Sequence, residues 1–267
     1  MIERARSGVL LALLLALALG PFEGAAVGQP AAAREIAPQG TLRVATIGSN
    51  PVLFMKEGGG AGVAMDVGRF LADKLGVTLE PVVYPGPPQY RASFGKTEWD
   101  IAIGPREVGG DAATYGPDLV LVDNVYVAAP GRTFVDAGQV DRAGVKIAVI
   151  DGGVPHQFLR RTVKSALLVA VASREAGADA LGSGHADVFG SNVDNVQAVA
   201  AAVAGSTIVP GPFLSVPMAV GLPKGRSAEA QARLTDLVNE AKTTGIVTKA
   251  IEAAQLKGVR VAEGSRP

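Results

Sequence analysis

Cysteine is absent from the 267 residues, which excludes a disulfide framework, thiol catalysis and a lipid-modified cysteine anchor. Histidine is scarce: His156 and His185 are the only two. Neither has an acid or a second histidine at ligand spacing, so no metal site and no cofactor is expected. Aromatic residues reach 5% and charged residues 19%, against 48% hydrophobic, the profile of an Ala/Val/Gly-rich globular chain. Acids and bases number 25 each. That balance supplies neither the basic face that nucleic acid requires nor a polybasic membrane contact. No nucleophile, base and acid stand together in a catalytic pattern, so an enzyme is not expected.

Long apolar runs are missing too, apart from residues 9–19, which cover about half of the roughly 20 residues that a bilayer core needs. Arg4 and Arg6 precede that run and small residues follow it. Residues 1–33 therefore read as a signal peptide, with Gly24-Ala25-Ala26 and Ala31-Ala32-Ala33 as alternative cleavage sites. The mature chain is expected to be soluble and periplasmic.

What is present centres on residues 62–77. Asp66 reads as a helix N-cap, Val67, Phe70, Leu71 and Leu75 recur at helical spacing, and Gly76 supplies the stop. Strand-like stretches flank it at residues 42–48 and 77–83. Strand, long loop, helix, strand is a βαβ unit, whose loop opens at the carboxyl end of a parallel strand, where open α/β sheets hold ligands. Residues 49–60 carry three glycines at the tip and read as a β-hairpin or a mobile flap. Residues 28–40 read as a linker and residues 105–117 as a Gly-rich loop. A second, similar set begins near Val135. Gly95 to Ala102 and Gly184 to Phe189 both place a glycine turn before an aspartate and an apolar strand. The echo points to two lobes of similar construction. Extended strands at 119–129 and 214–222 bracket the second set and would form a two-strand hinge. The expected division is residues 40–127 with 214–267 for one lobe and 128–213 for the other.

Six stretches in this order carry a resemblance: residues 40–45, Met65-Asp66-Val67 with its helix, Gly95-Lys96 before Asp100-Ile101-Ala102, residues 149–153, residues 184–187, and residues 218–225. Together they resemble the periplasmic solute-binding proteins of ABC importers of the polar amino-acid type (extracellular solute-binding protein family 3). The resemblance spans roughly residues 40–256. It implies a two-lobed α/β fold of periplasmic binding protein type II, closing on a small-molecule solute as a monomer and delivering it to an ABC permease of the inner membrane. Two rival readings are a solute-sensing accessory protein and a dehydratase-like enzyme on the same fold, which would need Asp151 or Glu107 as its acid.

The site residues that the resemblance implies carry over unevenly. Asn50 and Leu53 stand where the family offers aromatics after the first strand, and Tyr90 could supply the missing ring or pack in the core. Arg106, just past Gly104 at the end of the third strand, best matches the carboxylate-gripping arginine, though its spacing is poor; alternatively it is a solvated loop residue. Gly152, Gly153 and Val154 occupy the carboxylate-receiving turn without its hydroxyl, leaving only backbone N–H groups. Asn192 stands where the family has an amine-binding acid, or else caps the following helix. Without a full negative charge in the site an ammonium is costly to desolvate. Ordinary amino acids are therefore disfavoured unless Asp123, Asp151 or Asp194 supplies that charge. The decisive requirement is a gap lined by both halves.

Overall fold

The computed structural model describes residues 31–55 and 60–263; residues 1–30, the flap tip at 56–59 and the last four residues lie outside the described residues. The chain runs α1 (Ala31–Ile36), β1 (Thr41–Ile47), α2 (Val63–Leu75), β2 (Thr78–Tyr84), α3 (Pro87–Ala92), β3 (Ile101–Pro105), α4 (Arg106–Gly109) and β4 (Ala113–Ala128). It continues as β5 (Lys146–Ile150), α5 (Val154–Thr162), β6 (Leu167–Val171), α6 (Arg174–Gly182), β7 (Val188–Asn192), α7 (Val193–Ala202) and β8 (Thr207–Ile208). The last elements are β9 (Leu214–Pro223), α8 (Ala228–Thr243), α9 (Ile246–Ala253) and β10 (Val259–Val261).

Within each half the same topology recurs. Strands β2-β1-β3 are parallel with the first strand in the middle, and β6-β5-β7 repeat that order. The antiparallel pair β4–β9 joins the two triplets into one sheet. The sheet is thus continuous through the crossing strands, and the gap required by the sequence reading opens above them. One core gathers residues from α1, β1, α2, β3, α8 and α9 around Trp99, Tyr90 and Leu71. The second half has two smaller clusters, one around Phe189 and one around Ile147 and Tyr126.

The α2 helix forms as its periodicity dictates, burying Val63, Met65, Val67, Leu71 and Leu75 on one face. Each such side chain contributes about 1.5–3 kcal/mol when fully buried. Its start differs from expectation. Asp66 is not the N-cap; it lies inside the first turn and pairs with Arg69 at 2.9 Å. The helix instead begins at Gly62 (φ 119°), where a Cβ would fall 2.6 Å from the Leu53 carbonyl. That close approach lets the carbonyls of Val52 and Leu53 accept from the N–H groups of Val63 and Ala64, satisfying donors that a side-chain cap would otherwise serve. Gly76 ends the helix in the left-handed region at φ 68°, with Val77 N–H returning to Ala72, as expected.

Three further expectations change. The supposed linker contains α1, whose Ala33 and Ile36 enter the core and whose Glu35 accepts from Ser227 N–H and Oγ at 2.6 Å each. The supposed loop at 105–117 is regular structure: α4 and a 3-10 turn fill residues 106–112, and β4 begins at Ala113 and absorbs Gly116-Pro117 in a register shift against β9, a place where a sheet tolerates proline. The polar tail adds β10, antiparallel to β4. Near the flap, Met55 and Ala61 form an antiparallel bridge.

Candidate functional site

Two parallel pairs, β1 with β3 and β5 with β7, run in opposite directions and bring their carboxyl ends to one cleft. Ile47, Ser49 and Asn50 follow β1, Pro105 ends β3, Val149 and Ile150 end β5, and Gly190, Ser191 and Asn192 end β7. The floor is Val122 and Asn124 of β4 with Val216 and Met218 of β9. Each half contributes a wall, and the cavity holds about 150 Å³.

Its chemistry is set by what lines it. Val108, Val122, Val149, Ile150, Val154, Val216 and Met218 make it largely apolar, and among the described residues none of the lining side chains is ionisable. Four carboxamides supply most of the polarity, and each has one half engaged. Asn50 Oδ1 accepts from Val52 N–H at 3.1 Å, and Asn192 Oδ1 accepts from Asn195 N–H at 2.9 Å. Asn124 Nδ2 donates to Val122 carbonyl at 3.1 Å, and Asn195 Nδ2 donates to Ser191 Oγ at 3.1 Å. Among the described residues the other half of each amide has no partner. The site therefore presents two amide donors, on Asn50 and Asn192, and two carbonyl acceptors, on Asn124 and Asn195. The bonds already made fix the amides of Asn50, Asn124 and Asn192, whereas Ser191 Oγ can donate as well as accept, so Asn195 can offer either half.

No family model matches the chain, and no curated protein matches it. Solved structures do. The ancestral amino acid-binding protein AncCDT-1, a precursor of cyclohexadienyl dehydratase, aligns with TM-score 0.65 at 19% identity, over 83% of this chain and 98% of that one. A putative binding component of an ABC transporter from Wolinella succinogenes, complexed with lysine, gives TM-score 0.67 at 17% identity, over 80% and 95%. The solute receptor for L-cysteine of Neisseria gonorrhoeae gives 0.66 at 16%, over 86% and 99%. The chain has the two-lobed periplasmic binding protein fold. At these identities the likeness is one of fold.

Within that fold the residues expected at the site divide. Asn50, Gly153, Val154 and Asn192 line the cleft. Asn192 does so while also serving as the α7 N-cap, so its two readings hold together. Arg106 is not a lining residue. Its Nη2 donates to Asp118 Oδ1 at 2.5 Å and to the Gly116 carbonyl at 3.0 Å, and its guanidinium lies 5.5 Å from the Tyr115 ring centre. The bulge at residues 116–118 supplies both acceptors, and this draws the arginine from the cleft. Leu53 is fully buried in the first core. Tyr90 is fully buried as well, packed edge-on against Tyr84 and Phe94. Its hydroxyl has no partner among the described residues, and burial pushes its pKa well up. Gly104 leaves room for that ring: a Cβ there would fall 2.9 Å from Tyr90 Oη.

The glycine turn is half engaged. Gly152 N–H donates to His156 Nδ1 at 3.1 Å and Gly153 N–H to the Ile150 carbonyl at 3.4 Å, while Pro155 has no N–H. Gly152 lies outside the cleft lining, and little remains of an anion nest. The three acids that could have supplied charge are also outside it. Asp123 pairs with Arg260 at 2.6 Å and accepts from Ser215 Oγ at 2.5 Å. Asp151 is 71% exposed beside His156. Asp194 meets the Lys257 N–H at 3.5 Å, and burial raises its pKa. Among the described residues no cluster of three or more His, Cys, Asp or Glu could hold a metal ion.

Sequence reasoning missed Ser49, Asn124, Ser191 and Asn195. Asn124 carried a signal: it interrupts the apolar stretch 119–129 and is 3% exposed, and a buried amide in a strand demands partners. Ser191 and Asn195 surround Asn192 at spacings that α7 brings onto one turn.

Proposed function

We propose that the chain is an exported, periplasmic solute-binding protein that captures a small polar solute as a monomer and passes it to an ABC permease. The observation that carries this reading is the cleft: a half-open, largely apolar cavity lined by four amides, walled by both halves and floored by the two crossing strands. The lobe division expected from the sequence, 40–127 with 214–267 against 128–213, belongs to this reading, with residues 31–37 joined to the first lobe by their burial. The similar folds of transporter binding components support it, as does an N-terminal stretch patterned like a signal peptide. The dehydratase alternative lacks an acid in the cleft: Asp151 and Glu107 are both exposed and neither lines it.

The test is native mass spectrometry of the exported protein, purified without added ligand. A small solute should be carried by the wild type and released on denaturation. Ser49 is exposed at the rim of the cleft, so Ser49→Trp should fold normally yet emerge empty. A wild type that emerges empty and shows no thermal shift with amino acids, organic acids, amides or polyols removes the reading.

A further inference from the structure

We infer that the solute is uncharged: a compact molecule of about six to ten non-hydrogen atoms, bearing both a hydrogen-bond donor and an acceptor, such as a carboxamide, lactam or polyol. This deepens the proposed function and rests on it. Three independent observations converge. First, among the described residues no ionisable side chain lines the cleft, and an ion transferred into such a site without a counter-charge would lose its hydration uncompensated. Second, Arg106 is engaged with Asp118 and Asp123 with Arg260, and Asp194, whose Oδ2 is buried without a partner among the described residues, does not line the cleft. The N–H groups of Gly152 and Gly153 are bonded within the chain and Pro155 has none, which leaves a single cleft-lining N–H, that of Val154, at the α5 start. Third, the free halves of the four carboxamides are mixed. An anion would find the Asn50 and Asn192 donors but also face the Asn124 carbonyl, and an ammonium would meet the reverse conflict. A neutral group that donates and accepts satisfies both kinds. The size follows from the volume: an apolar cavity of about 150 Å³ accommodates a molecule as large as benzene.

The experiment has two arms. In the first, small molecules released from the denatured wild-type protein are identified by mass spectrometry in both polarities. In the second, calorimetric titration compares three probes of one shape, nicotinamide, nicotinate and 3-picolylamine, on the wild type and on Asn192→Asp. That substitution retains the oxygen that caps α7 and adds one negative charge to the cleft. The expected result is a released solute that is neutral at pH 7. Nicotinamide should bind the wild type at least about tenfold more tightly than either ion, and the preference should move to the amine in Asn192→Asp. A released solute that is anionic, cationic or zwitterionic, or an ion that binds the wild type as well as nicotinamide does, overturns the inference and leaves the binding function standing. If nothing is released and no probe binds, the binding function falls and the inference falls with it.

Discussion

Asp100 and Asp187 occupy the same place in the two halves, yet their surroundings differ. Asp100 precedes β3, accepts from the Arg43 N–H of β1 at 2.9 Å and returns its own N–H to the Arg43 carbonyl. Asp187 precedes β7 and makes the corresponding pair with Lys146 of β5, at 2.8 and 2.9 Å. Each aspartate staples the entry of its half's central strand to the entry of its neighbour. In the first half the Arg43 guanidinium closes over Asp100, which is fully buried. In the second the counter-ion is Arg132, from the loop after β4, half-exposed at 50%, and Asp187 remains 14% exposed. The same staple therefore sits in a deep core on one side and near solvent on the other. One half is a thick base, and the other is two thin layers around a sheet.

The largest effect is expected from Asp100→Ala. It strands part of the Arg43 charge and unties the β1–β3 entry, at a cost of about 3–5 kcal/mol, read as a lowered denaturation midpoint with an unchanged slope. Asp187→Ala should cost about 1–2 kcal/mol, because solvent already shares the Arg132 charge. Equal losses from the two would break the contrast between base and thin half. The smallest effect concerns acid. In the second half the Asp141 carboxylate accepts from the N–H groups of Ala166, Lys164 and Ser165 at 2.9, 2.9 and 2.7 Å. The Ala166 bond is the largest cause, followed by Lys164 and Ser165, and together they hold its pKa below the ordinary carboxylate value. A lowered folded value means that the unfolded chain takes up the proton first. The contribution is complete above the ordinary carboxylate range and disappears as pH falls through the folded value. The melting temperatures of wild type and Asp141→Asn should therefore differ near neutrality and converge towards about pH 3. A constant gap would assign the effect of the substitution to something other than this carboxylate.

The frame of the fold was legible because it depends on short-range physics. Helical periodicity located α2, and the paired glycine-turn aspartates announced two similar halves. The misreadings arise where a distant segment decides. Gly62 replaced Asp66 at the helix start because the carbonyls of residues 52 and 53 fold back onto it. β4 extends through Pro117 because β9 lies beside it. Asn50 and Asn192, which the resemblance pointed to, line the cleft, each just after or at the end of a parallel strand. Arg106 follows the carboxyl end of β3, but its side chain is turned aside: the acceptors, Gly116 and Asp118, come from a bulge that only strand pairing reveals. The amides of Asn124 and Asn195 meet the cleft through the hinge strand and a helix turn, relations that neighbouring residues alone do not express.

The docking of α1 bears on maturation. A peptidase cutting after Ala26 would release a chain that still carries the whole helix, with Ala33 and Ile36 available to seal the base of the first half. A cut after Ala33 would instead place a new positively charged amine next to Ile36, at the edge of that apolar seat. The α1 residues therefore belong to the scaffold, and trimming them would remove Ala33 and Ile36 from the core.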